Sequence, residues 1–311
     1  MDMRRRQFIT LVAGAAAAQS LAPAAPASAA LRVVAATTDI AALATAVGGD
    51  LVSVEAIVPP AVDPEAFEPR LGDVEKVRHA DLLVRVGIGY DYWLEKLINQ
   101  VDDKRLMRGG NGYVDASAGI PLLEIRGQTP MNEGGHAHGV ANPHWLDPEN
   151  AVLVTAGIAE ALVRLAPEQH GRIIDNRARF LAELEEHRKR WSALLGPFVG
   201  VKLIAYHNTW PYFARRFRLD IVDFVEPRPG VAPSPAHLAR LISEGRKRQV
   251  RAILHEPYEP DDASRLLAQK LGVPFVLLAT SVGSLPGTDD YFALFDYNVA
   301  ALAKALGAPR Q

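Results

Sequence analysis

Short runs of branched apolar residues alternate with longer amphipathic stretches along most of this chain. The runs at 31–36, 52–58, 81–86, 201–205, 221–225, 252–254 and 274–278 have the length and composition of buried strands. The pattern reads βαβα, and it occurs twice. Apolar strands alternating with helices imply parallel sheets covered on both faces. Between the two sets lies a polar, charged stretch, 168–195, with no internal Pro. In it Leu181, Leu184, Trp191 and Leu195 recur at roughly helical spacing. Pro167 suits the first turn of such a helix, and Gly196-Pro197 would end it. The expected fold is therefore α/β, with two lobes, each a mainly parallel sheet flanked by helices, joined by one long rigid helix. In numbers this is an N-terminal lobe over 30–166, a connecting helix over 167–196 and a C-terminal lobe over 197–311. Ligands of such sheets bind beyond the C-terminal ends of the strands, here in the cleft between lobes.

Two segments break the pattern. Residues 1–29 start with Arg4, Arg5 and Arg6, continue with an apolar stretch over 8–18 and end in Ala27-Ser28-Ala29, the arrangement of a cleaved export signal. The apolar stretch is too short to cross a bilayer and is followed by Pro23 and Pro26. Arg5-Arg6-Gln7-Phe8-Ile9 resembles a twin-arginine motif, so the expected location is the bacterial periplasm after cleavage near Ala29. Residues 127–143 hold Gly127, Pro130, Gly134, Gly135 and Gly139, and are expected to be a mobile surface loop. Inside it His136 and His138, beside Glu133, could capture a divalent cation weakly. A solvated loop with incidental histidines is equally compatible with these residues.

Composition narrows the chemistry. The 311 residues are 49% hydrophobic and 23% charged, enough chain for a sizeable core and too apolar for a disordered one. With 34 basic and 36 acidic residues, the formal charge of -2 offers no overall basic field, so nucleic acid is not expected as a partner. Loss of the export signal would remove three Arg and one Asp and leave a net charge of -4. Cys is absent, which excludes disulfides, thiolate metal sites, a cysteine nucleophile and a lipid-modified N-terminal Cys. There is no H-E-x-x-H, G-x-S-x-G or P-loop. Gly87-Ile88-Gly89 starts like a dinucleotide fingerprint, but Tyr92 stands where a third small residue is needed, so it reads as a strand-to-helix turn.

What remains is a set of polar clusters at loops and strand ends, each with a metal-capable side chain. They are 63–69 with Glu65, 142–148 with His144, 206–208 with His207, and 255–257 with His255 and Glu256. Pro143 and Pro148 stiffen the backbone around His144, which favours a fixed ligand there, and Trp145 could exclude water. Taken alone, Glu65 reads as a helix-start acid and His207 as a satisfied core histidine.

The ordered set Asp63-Pro64-x-x-Phe67-Glu68-Pro69, Asn142-Pro143-His144-x-Leu146-Asp147-Pro148, His207 before Tyr212-Phe213, Pro233-Ser234-Pro235, Glu256-Pro257, and Tyr291 with Asn298 spans the chain after the export signal. It resembles the periplasmic solute-binding proteins of zinc and manganese ABC importers, the cluster A-I or TroA-like family. The resemblance implies that two lobes hold a divalent metal between them for a membrane permease, and that the protein acts as a monomer and is no enzyme. It makes His144 and His207 metal ligands. The first family ligand is a His, and Glu65 stands in its place; the fourth, an Asp after the last strand, has no counterpart in Ala279-Thr280-Ser281. Glu65, His144 and His207 with one open position would suit zinc (Zn2+), while manganese(II) or iron(II) could use the same donors. Glu256 or His255 could add a ligand or orient one. The departures keep open a diverged member acting as a metal chaperone or binding a non-metal ligand. A metal-dependent hydrolase with Glu256 as base is the remaining alternative.

Overall fold

The computed structural model describes residues 30–123 and 142–307. The expected export signal over 1–29 and the histidines at 136 and 138 lie outside them. The N-terminal lobe is β1 (Leu31–Ala35), α1 (Thr38–Gly48), β2 (Val52–Ala56), α2 (Leu71–Arg78), β3 (Leu82–Arg85), α3 (Leu94–Val101), β4 (Tyr113–Asp115) and α4 (Asn150–Leu165). After α5 (His170–Leu195) come β5 (Lys202–Ala205), α6 (Pro211–Phe217), β6 (Asp220–Phe224), α7 (Pro235–Arg248), β7 (Ala252–His255), α8 (Asp262–Leu271), β8 (Phe275–Leu277) and α9 (Tyr291–Leu306). The strand order is β2-β1-β3-β4 in one sheet and β6-β5-β7-β8 in the other, all pairs parallel. The two lobes thus repeat one topology. In each, the chain leaves the first strand to one side and returns to the other, which opens a crevice at its C-terminal end.

All seven expected strands form, and β4 is an addition. Its three residues carry too little apolar sequence to stand out. The connecting helix runs for 26 residues, after a short 3-10 turn at Pro167–Gln169. It buries Ile173, Phe180, Leu184, Trp191 and Leu195, a stripe spaced seven and four residues apart; Leu181 lies only partly buried beside it. Trp191 stacks on Phe295 of α9 at 4.8 Å and donates its indole N–H to Asp296.

One apolar core runs from β1 and β3 through the connecting helix to Trp210, Phe213 and Phe295 of the C-terminal lobe. The lobes share an interior. Polar ties reinforce it: Val282 N–H donates to Asp39 at 3.0 Å, Thr38 Oγ1 donates to the Val282 carbonyl, and Trp145 Nε1 donates to the Thr280 carbonyl. Behind the cleft, buried Asp147 accepts from both Arg215 and Arg216. No helix among the described residues is long and apolar enough to cross a membrane.

Candidate metal-binding cleft

Glu65, His207 and Glu256 follow strand ends, His255 ends β7, and His144 lies in the short turn before α4. Glu65 lies in the loop after β2, where Asp63 Oδ1 accepts its backbone N–H at 2.9 Å. Trp93 Nε1 donates to the Pro64 carbonyl, and its ring meets Phe67 edge-on at 4.9 Å, so the loop is pinned to the lobe. His207 follows β5, the first strand of the other sheet. Its Nε2 faces Glu65 Oε2 at 3.7 Å, across a small pocket of about 10 Å³ lined also by Asp63, Tyr90, Asn142, Pro143, Thr209, Tyr258 and Glu259. Two donors on one tetrahedral zinc, with bonds of about 2.0 to 2.2 Å, stand about 3.4 Å apart. A shift of a few tenths of an ångström would let this pair share an ion.

The other face of the His207 ring is also held. Its Nδ1 lies 2.5 Å from Glu226 Oε2, a carboxylate just past β6, so Nδ1 carries the proton and donates. This keeps Nδ1–H on Glu226 and aims Nε2 into the pocket. Burial alone would lower the His207 value, but the bond to Glu226 and the charge of Glu65 prevail and hold it well above the ordinary imidazole range. Desolvation raises Asp63 and Glu259 above the usual carboxylate value. Crowded carboxylates in partial burial are a site short of positive charge.

His144 is placed differently. It is fully buried in the segment before α4, where its Nε2 donates to the Val86 carbonyl at 2.9 Å and its backbone N–H to Asn142 Oδ1. Its Nδ1 has no partner among the described residues. Burial lowers its pKa to about 4, so the ring is neutral. The structure brings Glu65 and His207 together but does not put His144 on the wall of their pocket. Among the described residues no group of three or more His, Asp or Glu side chains is arranged to hold a metal.

Glu256 and His255 do not line this pocket, although Glu256 stands close enough for its charge to act on His207. Glu256 Oε1 accepts from Trp210 Nε1 at 2.7 Å, and complete burial raises its carboxyl to about 7. His255 is bonded at both ring nitrogens, to Ser264 and to the Glu259 carbonyl. The carboxylate that orients His207 is Glu226, which the sequence reading left unmarked. The available signal was an acid just past β6, the strand paired with β5.

Buried side-chain atoms without a partner mark the same surface. Among the described residues they are Thr37 Oγ1, Asp39 Oδ2, His144 Nδ1, Thr209 Oγ1, Glu256 Oε2 and Thr280 Oγ1. Five follow strand ends and the sixth is His144, whose Nε2 holds the end of β3 at Val86. Such groups cost about 1–3 kcal/mol each when unpaired, and they are concentrated where the lobes face each other.

Known proteins share this two-lobed fold. Residues 33–305 match the model of the family described as zinc-uptake complex component A, periplasmic (ZnuA). A Treponema pallidum protein named for metal binding is 30% identical over 236 residues, 73% of this chain and 72% of its own length. The manganese ABC transporter substrate-binding lipoprotein ScaA of Streptococcus gordonii is 24% identical over 89% of each chain. A zinc-bound ZnuA deletion mutant of known structure superposes with a TM-score of 0.75 and 26% identity, covering 90% of this chain and all of the other.

Proposed function

This chain belongs to the periplasmic zinc-uptake component A (ZnuA) family, and from that membership and the shape of its cleft we propose that it captures a divalent metal between its lobes and hands it to an ABC importer permease. The observation that carries the reading is the facing of Glu65 and His207 Nε2, one from each lobe, at 3.7 Å. The arginine-led, apolar start of the chain over residues 1–29 supports a periplasmic setting for this work. The role is capture and release, with no turnover.

The cation takes the place of a proton. Without metal, His207 is an imidazolium clamped between Glu65 and Glu226, because its pKa is raised. Binding requires Nε2 to lose that proton, after which the ion bridges Nε2 and the Glu65 carboxylate while Nδ1–H stays on Glu226. His144 is the third ligand in this reading. Its neutral ring and unpaired Nδ1 support that role, and its Nε2 must leave the Val86 carbonyl or its Nδ1 must turn toward the cleft.

Zinc is the cargo we favour on intrinsic affinity for mixed imidazole and carboxylate donors. One observation favours a second reading, manganese(II) or iron(II): Glu65 supplies oxygen where the family usually has imidazole, and harder ions gain from that exchange. Isothermal titration of metal-stripped protein tests both. Binding in the micromolar range or tighter is expected, with about one proton released per ion at neutral pH when buffers of different ionisation heat are compared. Absence of binding for all three ions would overturn the proposal.

A further inference from the structure

Glu226 does more than orient one ring. Its Oε2 meets His207 Nδ1 at 2.5 Å, while its other oxygen, Oε1, accepts the backbone N–H of Gly230 at 2.5 Å. A single buried carboxylate therefore ties the inner face of the cleft to an exposed turn, Glu226-Pro227-Arg228-Pro229-Gly230-Val231. The turn is closed by a bridge between Arg228 and Val231, with Val231 N–H donating to the Arg228 carbonyl at 2.9 Å. Gly230 has φ of +74°, a region that L side chains rarely adopt, so its amide is aimed at Glu226 by a backbone only glycine takes without strain. Pro227 and Pro229 remove two competing N–H donors from the same turn.

We infer that Glu226 is the positioning residue of the metal site and that it couples occupancy at His207 to the order of the exposed turn 227–231. The inference rests on the capture reading above. A metal on Nε2 takes the place of the proton there and anchors the ring to a second group, so Nδ1–H can no longer turn away from Glu226 and the carboxylate is held in one place. The same carboxylate then holds the Gly230 amide in one place. Gln cannot serve both partners: it has one acceptor oxygen, so either His207 Nδ1–H or Gly230 N–H faces an NH2 group.

The test uses the full mature protein, zinc as probe and three variants. E226A should bind zinc 10- to 100-fold more weakly, the usual loss when the partner of a ligating His is removed. E226Q keeps the side-chain volume and should recover part of that loss. Hydrogen exchange gives the readout that a purely structural role would leave unmoved. In the wild type, zinc should slow exchange of the 227–231 segment; in E226Q the slowing should be reduced; in H207A it should be absent. Zinc affinities of E226A and E226Q both within twofold of wild type, or wild-type exchange at Gly230 unchanged by zinc, would overturn the inference. H207A binding zinc as tightly as wild type would instead defeat the capture reading itself.

Discussion

His144 and His207 are the same side chain, each placed near the end of a parallel strand, and their surroundings drive them in opposite directions. His144 is buried with a carbonyl for company, so the charged form is expelled and its pKa falls to about 4. His207 is only partly buried, and two carboxylates flank it and lift its pKa well above the ordinary value. Partner charge can outweigh desolvation when it stands at both ring nitrogens. For metal capture the two rings have complementary faults. His207 is well aimed but protonated; His144 is unprotonated but turned to the backbone.

The sharpest way to break that comparison is to remove one ring at a time. H207A should lose at least about 100-fold in zinc affinity by titration calorimetry, about 2.8 kcal/mol, because it deletes the better-aimed imidazole donor. E65Q should cost about 30-fold, and it should bring the His207 pKa down toward the usual imidazole range by removing a flanking charge. H144A should cost about tenfold, since this ring must first give up its bond to Val86; affinity equal to wild type would make His144 a core residue only.

Acidity sharpens the same contrast. With one proton displaced from His207, zinc affinity should fall about tenfold per unit as pH drops below its raised pKa, so weakening starts above pH 6.5. For folding stability the two rings have opposite signs. The contribution from His207 is complete below about 6.5, the unfolded value, and is lost as pH rises through the higher folded value. His144 acts the other way: the unfolded chain takes up its proton near 6.5 while the folded ring resists until about 4, so stability falls as pH drops across that window. Imidazole nitrogen NMR of metal-free protein should show one ring neutral at pH 5.5 and another protonated at pH 7. Two rings titrating together near 6.5 would erase the distinction.

The fold was readable because burial on both faces leaves continuous apolar runs, as at Leu82–Arg85 and Ala252–His255. Strand β4 was hidden because pairing with β3, and not its own residues, makes it a strand. The donors Glu65 and His207 were legible as chemistry at strand ends. Which way each ring points was not. That depends on the Val86 carbonyl for His144 and on Glu226 for His207, partners 58 and 19 residues away in sequence. Glu226 escaped notice because Val-Glu-Pro reads as an ordinary strand exit, and only the β5–β6 pairing brings it beside the ring.

The continuous apolar interior across both lobes and α5 has a calorimetric consequence. Two halves that merely leaned on a rod would melt as separate units, each with its own endotherm. Here loosening either half strips cover from the other, so a scan of the metal-free protein should show one transition, and a bound ion should move the whole peak upward without splitting it.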